Sequence, residues 1–291
     1  MTLTSKSKVS VLLNCYNEEK KISKAIRSVL SQTFKNYEFV IWDDGSTDKT
    51  LKIIRTFKDK RIKVYKNKIN LGLGKSRVEA QKKIKGEYVA IIDADDFFHK
   101  NKIKEQVRIL DSMPNVGLVT TWAKLISKKK NIRKDHSIKL SNKEAKKRLI
   151  FYNFLTHPSI MYRKKLAQKT GWYSKNLKYS QDHDLTLKIL ERSDLYIIRK
   201  YLTFARHDGS SMSFKMKSVA LKERNIILKK NIKRKNLSIF QKLYIKIKCD
   251  VNILKLSLLE PKKNLFKIFL NIFLKPHLLL EIFRLKIIKR I

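Results

Sequence analysis

Apolar positions in the first hundred residues follow two rhythms. Short, mostly apolar runs at 9–13, 39–42, 62–65 and 88–92 alternate with stretches where apolar residues return every three or four positions. The runs have the length and composition of strands buried on both faces, as in a parallel sheet. The stretches between them read as amphipathic helices. Ile22, Ala25, Ile26, Val29 and Leu30 share one helical face, and Leu51, Ile54 and Phe57 share another. A third helix is expected near 75–84, and Ser46 or Thr47 is placed to cap the helix that carries Leu51. Repeated β-α units of this length imply a parallel sheet with right-handed crossovers.

The second hundred residues mix the two rhythms. Positions 102–111 and 182–192 read as helices, and 116–126 and 195–206 as strands, which together would close the sheet and build the second wall of a cleft. Beyond about 214 glycine disappears and acidic residues become rare. Lys and Arg recur among Leu, Ile and Phe through 239–259 and 264–290, with Pro261 and Pro276 separating helical pieces. Helices of this kind lie in a membrane interface, their basic face drawn to anionic lipid. The alternative is a helical subdomain packed on the core behind a lysine-rich solvated face.

Charge sharpens this picture. The 291 residues include 68 Lys plus Arg against 25 Asp plus Glu, a formal charge of +43. Such an excess points to an anionic partner: nucleic acid, an acidic membrane surface or a phosphorylated substrate. Lys far outnumbers Arg and Ile and Asn are abundant, so the base composition of an AT-rich genome is a second source of the charge. With 43% hydrophobic and 32% charged residues, most of the chain is expected to fold. Cys15 and Cys249 lie far apart and form no metal-ligand pattern, in keeping with a reducing compartment. The polar stretch 1–8 leaves no room for a signal peptide, and no run reaches the roughly 18 uncharged apolar residues of a spanning helix. The expected location is the cytoplasm, peripheral on the inner face of the cell membrane.

Ligands of open parallel sheets bind beyond the carboxyl ends of the strands. Three polar clusters stand at such ends: Asn14-Cys15-Tyr16-Asn17, Asp43-Asp44-Gly45-Ser46 and Asp93-Ala94-Asp95-Asp96. Each alone reads as a turn; three at successive ligand-facing ends point to a site. With Asn17-Glu18, Ser31-Gln32-Thr33 and Asp43-Asp44-Gly45-Ser46-Thr47-Asp48, the stretch 9–50 resembles glycosyltransferase family 2. Asn70-Leu71-Gly72, Ile92-Asp93-Ala94-Asp95-Asp96, His157-Pro158-Ser159, Met161-Tyr162-Arg163, Gly171-Trp172-Tyr173 and Gln181-Asp182-His183-Asp184-Leu185 continue the resemblance in order to about residue 213.

The resemblance implies the GT-A fold, an α/β Rossmann-like architecture whose mainly parallel sheet is flanked by helices, here with a basic helical C-terminal extension. Its expected domains are a catalytic unit over 1–214, with a nucleotide-binding half (1–100) and an acceptor-binding half (101–214), and the extension over 215–291. It implies inverting, metal-dependent transfer of a sugar from a nucleotide-diphosphate donor, a UDP-sugar, to a hydroxyl of a lipid-linked glycan acceptor in bacterial surface polysaccharide synthesis. Asp95 would be the direct ligand of Mn²⁺ or Mg²⁺, with His207 near the metal or diphosphate and Asp93 at the ribose or metal shell. Asp44 would accept a nucleobase N–H, Tyr16 would stack on the base, Asn14 would contact the nucleotide and Arg77 the diphosphate. Asp43 would support its turn. Asp182 would be the base that deprotonates the acceptor hydroxyl, with Asp184 its alternate; Trp172 would wall the acceptor pocket.

Two departures stand out: Arg77-Val78 where the family often has Arg-Asn, and Gln181-Asp182 in place of Glu-Asp. Residue chemistry agrees with the scheme. A leaving diphosphate gathers negative charge that a hard cation stabilises, and such cations share one or two carboxylates with phosphate oxygens. The simpler readings are that Asp95 or Asp96 caps the helix that follows and that Asp182 caps its own. A nucleic-acid-binding protein is disfavoured by the absence of a binding motif and by the acidic clusters. A nucleotidyltransferase would need a Gly-rich basic phosphate loop where Asn14-Cys15-Tyr16-Asn17-Glu18 stands. An inactive sugar-nucleotide-binding relative is the last alternative, against which Asp44, Asp95 and Asp182 are all retained.

Overall fold

A computed structural model describes residues 7–127, 132–206, 217–233 and 237–259. The chain divides into two compact units, Met1–Ser211 and Met212–Ile291. In the first, the predicted β-α alternation is present: β1 (Val9–Cys15), α1 (Ile22–Leu30), β2 (Tyr37–Asp43), α2 (Thr50–Thr56), β3 (Ile62–Lys66), α3 (Leu73–Gln81) and β4 (Tyr88–Asp93). β1 pairs in parallel with both β2 and β4, and β2 with β3. β2 and all of β1 but Asn14 are buried, which is why their sequences lack polar alternation. Ile22, Ala25, Ile26 and Val29 of α1 pack into the core that Val11, Leu13, Phe39, Ile41 and Ile92 form from the strands.

Register gives this half its use. Asn14 lies opposite Trp42 on one side and Asp93 on the other, and Cys15 lies opposite Asp43. Neighbouring strands run about 4.8 Å apart, so the three polar clusters end side by side.

The rest of the unit adds β5 (Phe97–Phe98), α4 (Lys102–Ser112), β6 (Val116–Ser127), β7 (Ile132–His136), α5 (Asn142–Leu149), a 3-10 turn (His157–Ser159), β8 (Met161–Arg163), α6 (Lys164–Lys169), α7 (Gln181–Leu190) and β9 (Asp194–Arg206). The sheet order is β3-β2-β1-β4-β8-β6-β9-β5, with β7 on β6. Past β4 the sheet turns mixed: β8 is antiparallel to β4 and to β6, whereas the long β6 and β9 run parallel with register shifts near Val116 and Trp122. β5 follows the Asp93–Asp96 turn directly and pairs with the far end of β9, where Phe97 and Phe204 stack with ring centroids 4.7 Å apart.

The second unit contains the helices Lys217–Ile232 and Ile239–Leu259. Asn225 Nδ2 donates to Cys249 O at 3.3 Å, and Asn252 Nδ2 donates to Asn225 Oδ1 at 2.8 Å, a buried amide pair that joins the two helices. No helix among the described residues is long and apolar enough to cross a membrane. The segment 264–290 lies outside the described residues.

Candidate active site at the strand ends

The first two clusters are clasped together. Asn17, at φ +53°, turns its Oδ1 to accept Thr47 N–H at 2.9 Å, while Ser46 Oγ accepts Asn17 N–H at 3.0 Å. Thr50 Oγ1 accepts Glu18 N–H at 2.7 Å, and Asp48 Oδ2 accepts Glu19 N–H at 3.1 Å. Ser46 and Thr47 therefore do not cap α2, whose N-cap is Lys49 without a side-chain bond; their polar atoms face the β1–α1 loop. Much of what makes Asn17-Glu18 and Ser46-Thr47-Asp48 a motif is this mutual hydrogen bonding.

Asp43 is fully buried and accepts Ser46 N–H on Oδ1 at 3.0 Å, the turn-supporting place expected of it. Asp44 is 3% exposed, and its Oδ1 accepts Asn67 Nδ2 at 2.6 Å and Leu71 N–H at 3.1 Å. The aspartate thus ties the β3–α3 loop to the strand end. Gly45 makes that approach possible: its φ is +76°, and a Cβ would stand 2.7 Å from the backbone carbon of Ile69. Gly45→Ala is expected to cost about 1–3 kcal/mol through strain and overlap, lowering the melting temperature by several degrees in a thermal-shift measurement. Tyr16 stands beside this group 42% exposed, and Asn14 Nδ2 donates to Ser76 Oγ of α3 at 2.8 Å.

The acidic turn after β4 assigns its three carboxylates to three tasks. Asp96 is buried, and its Oδ1 accepts Arg206 N–H at 2.7 Å. It fastens the end of β9 and does not cap α4, which starts after Asn101. Asp93 Oδ1 receives Arg77 Nη2 at 3.3 Å, and His157 Nδ1 lies 3.8 Å away. Burial alone would raise the Asp93 carboxyl, but the contacts with His157 and Arg77 overcome it and hold the group at about 2. Among the described residues, Asp95 makes one ion pair, with Lys21 Nζ at 3.9 Å. Burial first, then the negative charges of Asp93 and Glu18, push it up to about 6, against the pull of Lys21. Like charges crowded into one acidic turn repel one another, a cost that an added cation would reverse.

Among the described residues no three His, Cys, Asp or Glu side chains form a metal cage. A half-open carboxylate in an acidic turn instead fits a hard cation that takes its other ligands from phosphate and water. His207 lies outside the described residues.

Arg77 is 6% exposed and reaches inward, its Nη2 3.0 Å from His157 Nδ1 and its guanidinium 5.8 Å from the ring centre of Tyr173. Lys75 of the same helix is exposed. His157 Nε2 is 3.3 Å from Tyr173 Oη. His157 thus joins Arg77 and Asp93 to the Gly171-Trp172-Tyr173 turn, a role its sequence context left unresolved. Burial chiefly raises the Tyr173 phenol to about 12; Arg77 pulls it down, and the charges of Asp182 and Asp93 push it up.

Asp182 sits in the first turn of α7 and is half-buried, but it does not cap: the N-cap is Ser180, without a side-chain bond. Its Oδ2 accepts Asn153 Nδ2 at 2.8 Å. Asp184 is buried and ion-paired with Lys188 at 2.6 Å, so its charge is already engaged within α7. Gln181 faces inward, donating Nε2–H to Ser174 O at 3.1 Å and Leu177 O at 2.6 Å, while Gly74 of α3 packs so closely that a Cβ there would meet the same Nε2 at 2.8 Å. Both partners are carbonyls, so an amide is suited to this position and a carboxylate is not. Trp172, at φ +55°, is half-buried, and its carbonyl accepts from Lys188 at 3.1 Å.

Known proteins share this chain's sequence pattern and fold. The family model described as glycosyl transferase family 2 matches residues 10–171. Over 200 residues the chain is 34% identical to an uncharacterized glycosyltransferase of Methanocaldococcus jannaschii, covering 67% of this chain and 69% of that one. Over 104 residues it is 40% identical to an Escherichia coli UDP-Glc:alpha-D-GlcNAc-diphosphoundecaprenol beta-1,3-glucosyltransferase, covering 36% of this chain and 41% of the relative. Among solved structures, S. aureus TarS 1–349 in complex with UDP-GlcNAc superposes with a TM-score of 0.67 at 21% identity, over 88% of this chain and 74% of that one. At that identity the likeness speaks for the fold alone.

Proposed function

Because the chain belongs to glycosyl transferase family 2 and is a glycosyltransferase of GT-A fold, we propose that it moves a sugar from a UDP-linked donor to a hydroxyl of a lipid-linked glycan, with inversion at the anomeric carbon. The observation that carries this reading is that one short segment reaches both acids: Asn153 donates to Asp182 of α7 at 2.8 Å, and His157, four residues on, lies 3.8 Å from Asp93 of the strand-end clusters. Two carboxylates far apart in sequence thus share one centre, as single displacement needs: a donor on one side, a base for the acceptor on the other.

In this scheme the nucleotide lies over the ends of β1 and β2. Tyr16 offers its exposed ring to the base, and Asp44 Oδ2, which has no hydrogen-bond donor among the described residues, accepts the base N–H. Asn14 lines the nucleotide beside them. Arg77 acts on the diphosphate side through its hold on Asp93. Asp95 would hold the divalent cation, Mn²⁺ or Mg²⁺, with Asp93 and His207 in support. When bound, that cation supplies Lewis-acid stabilisation of the leaving diphosphate. Asp182 takes the proton of the acceptor hydroxyl as its oxygen bonds to the anomeric carbon, and the bond from that carbon to the diphosphate oxygen breaks. A panel of UDP-glucose, UDP-GlcNAc and GDP-mannose with and without Mn²⁺ tests the reading: one UDP-sugar turned over only with metal is expected, and metal-independent turnover, or none of any donor, would overturn it.

The lipid-linked acceptor is supported by the E. coli relative, whose acceptor is a diphosphoundecaprenol-linked sugar, and by the second unit. The helix Ile239–Leu259 exposes Ile239, Phe240 (78%), Leu243 and Tyr244 beside Lys242 and Lys246. Each large apolar side chain buried in lipid contributes about 1.5–3 kcal/mol, and each lysine near an anionic surface about 1 kcal/mol. The enzyme would thus work at the inner face of the cell membrane. In the full chain, Phe240→Glu with Leu243→Glu is expected to cut co-sedimentation with phosphatidylglycerol-containing vesicles at least tenfold while leaving soluble turnover intact. Equal recovery would remove this face from the membrane role.

A further inference from the structure

Asp182 is gripped from outside its helix by a residue that no motif announces. Asn153, in the loop between α5 and the 3-10 turn, donates Nδ2–H to Asp182 Oδ2 at 2.8 Å and accepts Leu155 N–H on its own Oδ1 at 3.1 Å. The second bond settles which way the amide faces. A backbone N–H can only donate, so the amide oxygen points to Leu155 and the NH₂ to the carboxylate. The Leu155 side chain is buried and anchors the loop. A second tie lies next to the first: His183 Nε2 is 2.6 Å from Leu149 O, joining the end of α5 to the first turn of α7. Four residues after Asn153 the same segment delivers His157 to Arg77 and Asp93. One short stretch therefore braces the acid on each side of the centre.

We propose that Asn153 is the positioning residue of the acceptor side, fixing the carboxylate plane of Asp182 so that Oδ1 is presented to the incoming hydroxyl. The proposal rests on Asp182 being the base. The terminal torsion of an aspartate is broad, and a misplacement of about 1 Å in a reacting pair can cost about a hundredfold in rate. The polar neighbours of Asp182 on α7 are engaged elsewhere: Asp184 pairs with Lys188, and His183 Nε2 lies 2.6 Å from Leu149 O. Among the described residues, the Asp182 charge also acts on Tyr173, which is buried with His157 Nε2 3.3 Å from its hydroxyl and the Arg77 guanidinium 5.8 Å from its ring centre.

Asn153→Asp separates this role from a structural one. It keeps size and the oxygen that accepts Leu155 N–H, but replaces the donor to Asp182 with a like charge. In the full chain, with Mn²⁺ and whichever of UDP-glucose, UDP-GlcNAc or GDP-mannose the wild type turns over fastest, kcat at pH 7 is expected to fall 10- to 100-fold. A nearby negative charge raises the pKa of a carboxylate base, so the acid limb of the kcat–pH profile moves up by about one unit. KM for the donor stays within twofold. Asn153→Ala gives the same contrast without added charge: kcat falls, and the limb rises because the carboxylate loses a donor. A folded variant of either kind with unchanged kcat and an unmoved limb overturns the proposal. Asp182→Asn is the control: if it retains turnover the base assignment falls and this inference with it, whereas an inactive Asp182→Asn beside an unaffected Asn153→Asp removes this inference alone.

Discussion

Asp182→Asn is expected to lower sugar transfer by about a thousandfold and leave UDP binding unchanged. General-base catalysis contributes about 10²–10⁴ in rate, and an amide of the same shape cannot take a proton from the acceptor hydroxyl. The substitution is mild for the fold. An asparagine oxygen can still accept the Asn153 Nδ2 bond seen at 2.8 Å, and the residue is half-buried in the first turn of α7, which has no side-chain cap to lose. Tyr16, Asp44 and Asp95, which the proposed function places at the nucleotide and its cation, are on other elements. Calorimetric titration with UDP and Mn²⁺ should therefore match the wild type within about twofold. Turnover above a tenth of the wild-type rate would contradict the assignment of the base.

Asp95→Ala is expected to abolish metal-stimulated turnover, a loss of at least about a hundredfold, with no loss of stability. Asp95 is where function and folding oppose each other. Its carboxyl is pushed up to about 6 by burial and by the charges of Asp93 and Glu18. A carboxyl with a folded pKa above its unfolded value destabilises the fold where it is ionised. That penalty is absent below about pH 4 and complete above about pH 6. In chelator at pH 7.5 the variant should thus melt at or above the wild-type temperature while failing to respond to Mn²⁺. A variant that lost stability but kept its Mn²⁺ response would show Asp95 to be a structural residue.

What could be read from the sequence followed the range of the interactions involved. Val9–Cys15, Tyr37–Asp43 and Tyr88–Asp93 announce themselves because a strand buried on both faces needs an unbroken apolar run, and the polar residues that end each run stand out against it. Parallel pairing then brings Asn14 level with Asp93 and Cys15 level with Asp43. The mixed half was less legible, since the three-residue β8 has too little pattern to show that it sits between β4 and β6. Caps were misread for a related reason. Ser46, Thr47 and Asp96 have the chemistry of caps, yet their bonds run to Asn17, Thr47's own donor included, and to Arg206, partners distant in sequence. Asn153 left no signal at all, being 29 positions from the carboxylate it holds. Gln181 looked like a departure at an acceptor-facing acid, whereas its amide serves two buried carbonyls that a glutamate could not.

In the proposed single displacement Asp182 receives the acceptor proton across the sugar from the Asp93–Asp95 turn. Proton NMR of the first product formed from an α-linked UDP-sugar reads the stereochemistry of that step. A β-configured anomeric proton is expected before any mutarotation; an α-configured first product would mean two displacements or front-face attack and would rule the single displacement out.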